Sequence, residues 1–145
     1  MNKNKHLTQE ERNTIEQRLK ERESFKGIGR ELGKDPTTIA KEVKNHVQFR
    51  KSGCYGKAFN DCLIRKNCTI RHLCGSQRCR RNCSFCNSHA CSTLCSYYRQ
   101  EVCQKLLKPP YVCNGCKAKS SCTLEKKVYS ASHAQKEYEA VRSES

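Results

Sequence analysis

All thirteen cysteines of this 145-residue chain fall between Cys54 and Cys122. The chain therefore has to fold by two different means. Ahead of the cysteines, apolar residues recur at helical intervals and provide for a conventional core. After residue 50 they are scarce: only 35% of all residues are hydrophobic even with the cysteines counted, and there is no Trp. Something other than apolar burial has to hold the cysteine block together.

Residues 24–46, SFKGIGRELGKDPTTIAKEVKNH, read as two short amphipathic segments hinged at Gly33, Lys34 and Asp35. Phe25, Ile28 and Leu32 are spaced three and four apart and share one face of a helix. Gly33 permits a sharp exit, Asp35 offers a capping carboxylate, and Pro36 stands at the first helical position, where a missing N–H costs nothing. Ile39, Val43 and Val47 then recur every four residues with Ala40 beside them, a second stripe that packs on the first. Thr37, Thr38, Lys41, Lys44 and Asn45 occupy the opposite face. Hydroxyls, an amide and ammonium groups at that spacing suit phosphate oxygens and base edges in a major groove. Such a face also serves as plain solvated surface, and helix pairs around a glycine occur in many bundles, so the motif needs its context. Thr8 and Glu11 form a capping-box pattern, and Ile15 and Leu19 give one ridge on a helix running to about Arg22. The expected unit is a three-helix helix-turn-helix domain over roughly residues 7–48.

Lys and Arg number 29 against 14 Asp and Glu, a net charge of +15 that points to a polyanionic partner. The excess is uneven. Residues 1–52 hold 13 basic and 8 acidic residues (+5), residues 53–127 hold 14 and 3 (+11), and residues 128–145 hold 2 and 3 (−1). No apolar run reaches the length of a membrane span, and the start, MNKNKHLTQEER, lacks the hydrophobic region of a signal peptide. A cytoplasmic, nucleoid-associated location is expected, with no membrane partner.

In a reducing cytosol thirteen cysteines serve better as metal ligands than as disulfides, and an odd count fits complete pairing poorly. Cys83-Ser84-Phe85-Cys86 and Cys113-Asn114-Gly115-Cys116 are tight pairs of the kind that bind one metal through two thiolates. Structural zinc is the expected cofactor. The local groupings that spacing suggests are Cys103, Cys113, Cys116 and Cys122, then Cys79, Cys83, Cys86 and either Cys91 or Cys95. Cys54, Cys62, Cys68 and Cys74 form a looser set, and His72 and His89 could replace a cysteine, although isolated histidines in a polar segment are more often bystanders. A disulfide-rich module conflicts with the missing signal peptide. An iron–sulfur cluster lacks the compact cysteine run of the common ferredoxin patterns. Arg65, Lys66, Arg71, Arg78, Arg80 and Arg81 interleave with the cysteines, followed by Tyr97, Tyr98 and Arg99. These cations either add phosphate contacts or offset thiolate charge.

The succession of HLTQEER, the helix-turn-helix, a cysteine-rich insert and PPYVCNGCKAKSSCTLEKKVYSASHAQKEYEAVRSES resembles the amino-terminal third of the IS-thirty-type insertion-sequence transposases, in the cysteine-rich branch found in low-GC Gram-positive bacteria. The likeness covers nearly the whole chain and is most specific in the helix-turn-helix and in the tract from Pro109 to Cys116. It implies that Thr37, Thr38 and Lys41 lie on a recognition helix that reads the terminal inverted repeats of a mobile element. It also implies a downstream ribonuclease-H-like domain in which two Asp and a Glu hold two divalent ions. After Cys122 the only acids are Glu125, Glu137, Glu139 and Glu144, with no alternating strand pattern, so the expectation is a truncated transposase that binds but does not cut.

The expected fold is mainly α: a helix-turn-helix domain over residues 1–50, a loop-rich, zinc-stabilised cysteine region over 51–127, and a helical linker over 128–145 with Ala134, Tyr138 and Val141 on one face. The expected partner is double-stranded DNA at element ends. Two-fold repeats suit a homodimer, although no coiled-coil seam is present. A free-standing zinc-containing regulator or repressor is the alternative, and a zinc adaptor without DNA affinity is a third reading.

Overall fold

The computed structural model describes residues 6–54, 57–86 and 88–144. Among these the chain forms helices α1 (Gln9–Lys20), α2 (Phe25–Leu32) and α3 (Pro36–Asn45), strands β1 (Val47–Arg50) and β2 (Lys126–Tyr129), which pair in a two-stranded sheet, and helix α4 (Ala131–Glu144). The helix ends follow from local chemistry. Thr8 and Glu11 close the capping box at α1, the Ser24 side chain accepts from Gly27 N at α2, and the Asp35 carboxylate accepts from Thr37 N at α3. Gly33 ends α2 at φ 68°, a left-handed conformation that glycine adopts without a Cβ penalty. Gly29 has a different reason to be small: a Cβ there would lie 2.5 Å from the Lys34 carbonyl oxygen, inside the turn itself.

The chain divides into two compact units that do not follow sequence order. The first comprises the described parts of Met1–Phe49, Gln104–Cys116 and Lys127–Ser145. Its core gathers Leu7, Ile15, Leu19, Ile28, Ile39, Val43, Val112, Tyr129, Ala131 and Ala134, with Phe25, Leu32 and Val47 packed against it. A buried polar node sits within it. Arg12 Nε lies 2.9 Å from Glu42 Oε2, and the Tyr129 hydroxyl donates to the same oxygen at 2.8 Å. Arg12 Nη1 also donates to the Leu7 carbonyl and to Gln135 Oε1, both at 2.7 Å, so the buried guanidinium is well satisfied. Helix α4 packs on α1, and Glu16 Oε1 accepts from Ala131 N at its first turn. Asn114 secures the 104–116 segment by donating to the Tyr129 carbonyl and accepting from Tyr129 N.

Three details differ from the sequence expectation. Helix α3 ends at Asn45, His46 leaves helical geometry at φ −121°, and Val47 starts β1 instead of continuing the stripe. Residues 128–145 do not stand apart as a linker: Val128 and Tyr129 complete β2, and α4 belongs to the first unit. On α4, Ala131 and Ala134 are buried while Val141 is 68% exposed, so the inward face lies near the helix start.

The second unit comprises Arg50–Cys103 and Lys117–Lys126 and matches the expected loop-rich character. Its regular pieces are 3₁₀ turns at Cys83–Phe85, Cys91–Thr93 and Lys119–Ser121, and isolated bridges joining Cys54 to Lys57 and Cys62 to Gln100. Its buried residues are mostly polar: Asn60, Asp61, Thr123 and Lys126, with Cys62 and Leu124. Asn60 and Thr123 exchange two hydrogen bonds, Asn60 N to the Thr123 carbonyl and Thr123 Oγ1 to the Asn60 carbonyl. The Lys126 ammonium donates to the carbonyls of Ser52, Cys122 and Leu124.

Candidate nucleic-acid interface

The inner side of α3 buries Ile39, Glu42 and Val43, which fixes the rotation of the helix about its axis. Thr37, Thr38, Lys41, Lys44 and Asn45 are all exposed as a result. At 100° per residue they span an arc of about 120°, a single face. All five residues read from the sequence are thus brought together on one accessible surface.

Their individual states differ. The Thr37 hydroxyl donates to Asp35 Oδ1 at 2.6 Å, which uses its proton and leaves the oxygen as an acceptor for a base amino group. Lys44 Nζ lies 4.3 Å from the centroid of the Tyr111 ring, which stacks on Phe25 at 6.0 Å. The ammonium itself thus lies over the aromatic ring, a cation–π contact that fixes the end of the side chain. The Tyr111 ring is a neighbour of this face that sequence reasoning missed, because nothing local in the Pro109–Cys116 tract places it beside α3.

The frame behind this face is also tied by surface charge. Arg18 on α1 forks onto Glu31 of α2 through two N–H···O contacts of 2.8 and 3.1 Å and reaches Glu21 at 3.0 Å. The Arg18 guanidinium accordingly holds the Glu31 carboxyl below its ordinary value.

The interleaved cations of the second unit divide into two groups. Arg65 is half-buried, ion-paired with Glu101 and bonded to the Cys62 carbonyl, so its role there is structural. Arg71 donates to Asn82 Oδ1, and Lys66, Arg71, Arg78, Arg80, Arg81 and Arg99 are exposed.

Cys113 and Cys116 belong to the first unit, whereas Cys103 and Cys122 belong to the second. Cys79, Cys83, Cys86, Cys91 and Cys95 all lie in the second unit. Among the described residues, no three His, Cys, Asp or Glu side chains stand close enough to hold a metal ion as they are placed. The chemistry of the sulfurs nevertheless suits zinc. Cys83, Cys86 and Cys95 Sγ accept from the backbone N–H of Leu73, His89 and Tyr97 at 3.3–3.4 Å, and Cys91 Sγ accepts from Asn60 Nδ2 at 3.7 Å. N–H groups aimed at sulfur stabilise the thiolate form that zinc requires. His72 is engaged otherwise, its Nδ1 bonded to the Ser76 carbonyl at 2.7 Å.

No helix among the described residues is long and apolar enough to cross a membrane. Searches of curated proteins and of solved structures give no match. Residues 3–46 match the family model of a helix-turn-helix domain, which covers α1 to α3 and suggests double-stranded DNA as the partner.

Proposed function

We propose that this chain is the DNA-recognition part of an IS-thirty-type transposase and binds the terminal inverted repeats of its mobile element. The observation that carries the reading is the common exposure of Thr37, Thr38, Lys41, Lys44 and Asn45 on the second helix of a helix-turn-helix. Helix-turn-helix domains of the matched kind occur at transposase amino termini, which favours this reading over a free-standing regulator. Helix α3 enters the major groove, Thr37, Thr38 and Asn45 meet base edges, and Lys41 and Lys44 meet flanking phosphates. The exposed arginines of the second unit add sequence-independent phosphate contacts. Zinc held by cysteines orders that unit, with a structural and not a catalytic role. The chain supplies recognition, and no strand-cleavage step is assigned to its residues.

Titration of the full chain with labelled duplexes tests this. Element-end duplexes should bind more tightly than scrambled ones of equal length, and affinity should fall linearly with the logarithm of salt concentration. Lys41→Glu should weaken binding and make the salt slope shallower by about 1, with helical circular dichroism unchanged. Equal affinity for both duplexes would sink end recognition, and unfolding of the variant would place Lys41 in a packing role.

A further inference from the structure

The second unit contains one small cavity whose lining includes Cys62, Cys68, Cys83, Cys91 and Cys95. Its volume is about 10 Å³, room for a single water-sized or ion-sized occupant. The five thiols come from three separate stretches of chain. Cys62 follows Asn60 and Asp61, Cys68 lies six residues on, and Cys83 and Cys91 begin the two 3₁₀ turns.

Three features indicate that the cavity is shaped for a cation. Three of the five sulfurs, Cys83, Cys91 and Cys95, already accept N–H hydrogen bonds, which compensates negative charge on them. The side chain that reaches Cys91, Asn60, is buried, and its Oδ1 accepts from Cys62 N, so one amide braces two of the cysteines. Ser84 Oγ also lines the cavity and is the buried side-chain polar atom without a hydrogen-bond partner among the described residues.

We propose that Cys62, Cys68, Cys83, Cys91 and Cys95 are the ligand pool of one tetrahedral site for a thiophilic divalent ion of the zinc class, four of them binding and the fifth adjoining. The proposal rests on the reading of zinc as the cofactor and replaces the two sequence-local groupings within residues 54–95 with one that joins the stretch before residue 70 to the stretch after residue 82. Cys79 and Cys86, next to these ligands in sequence, are outside the site. Binding releases the thiol protons to solvent as each sulfur becomes a thiolate, and rotation about χ1 is the motion that closes the sulfurs on the ion. Unit two thereby gains a cross-link among segments that otherwise meet through polar contacts.

The test uses the full chain, prepared under reductant and exchanged into cadmium-113. Metal-to-proton correlation spectra identify each ligating cysteine through coupling to its Hβ atoms, without any mutation. One cadmium resonance should couple to four of the five named cysteines, from both sides of the 70–82 gap. As a second measurement, the double variant Cys68→Ser/Cys91→Ser should bind one zinc equivalent less than the unaltered chain, while Cys74→Ser, an exposed cysteine off the cavity, should bind as much. Cadmium coupled only within residues 54–74, or only within residues 79–95, overturns the ligand set and leaves zinc in place. A reduced chain that takes up neither zinc nor cadmium overturns both readings.

Discussion

The two units of this molecule solve the same problem with opposite materials. The first buries ten residues in one contiguous cluster that includes Ile15, Leu19, Ile28, Ile39 and Val43 from three helices. The second buries Asn60, Asp61, Thr123 and Lys126, with Asn60 bonded to Thr123, Asp61 to Tyr98, and Lys126 to three backbone carbonyls. Hydrogen bonds exchanged with water contribute only about 0.5–1.5 kcal/mol each, whereas a fully buried aliphatic side chain contributes about 1.5–3 kcal/mol. The first unit therefore has an apolar driving force that the second lacks in comparable measure. Helix α3 rests on the first kind of support, and the positions of Thr37, Thr38 and Lys41 are only as well defined as the packing of Ile39 and Val43 beneath them.

The sharpest way to break the comparison is to remove metal. A strong chelator should expose Arg50–Cys103 to limited proteolysis and leave the α1–α3 helical signal in circular dichroism intact. The expected effect is wholesale loss of order in one unit and almost none in the other, since metal-binding free energy acts as folding free energy where apolar burial is scarce. Helical signal falling in step with proteolysis would mean that the units share one cooperative transition. Unchanged cleavage would mean that the polar network suffices alone.

A second experiment attacks the first unit at its polar centre. Glu42 joins Arg12 of α1 and Tyr129 of β2 from the buried side of α3. Glu42→Ala leaves a guanidinium and a hydroxyl buried without their acceptor, a loss expected to cost about 3–5 kcal/mol in denaturant unfolding. Glu42→Gln keeps an acceptor and should cost less. A loss of under about 1 kcal/mol for the alanine variant would show that apolar packing alone supports α3 and that the buried pair is dispensable.

What could be read from the sequence was whatever short-range chemistry decides. The Thr8–Glu11 box, the Gly33 turn, the Asp35–Pro36 start and the inward faces of α1 to α3 each depend on residues within four positions of one another. Misread features depend on partners far along the chain. Val47 has the right spacing to extend α3, but β1 pairs with β2, nearly eighty residues away, and that pairing ends the helix. Tyr129, within the stretch expected to be a helical linker, is instead a fully buried strand residue bonded to Glu42. The exposure of Thr37, Thr38, Lys41, Lys44 and Asn45 on α3 was legible because the opposite face is apolar. The cysteine neighbourhoods were not, because no periodicity links Cys62 and Cys68 to Cys83, Cys91 and Cys95 around one cavity.

The smallest expected effect sharpens the account of the second unit. The Tyr98 hydroxyl donates to Asp61 Oδ1 at 2.7 Å, at the edge of the thiol cavity. Partial burial, reinforced by the Asp61 carboxylate, pushes its phenol up to about 12 from an ordinary value of 10. The folded state thus holds this proton more tightly than the unfolded chain. The resulting stabilisation is fully present below pH 10 and is lost as pH rises from 10 through about 12. Tyr98→Phe removes both the bond and the titration, so the stability difference between the two proteins should be constant below pH 10 and shrink above it. Ultraviolet titration should show the variant lacking a phenolate component near pH 12. If the missing component instead titrates near 10, the hydrogen bond to Asp61 does not persist in solution, and the polar network holding the second unit is weaker than its geometry implies.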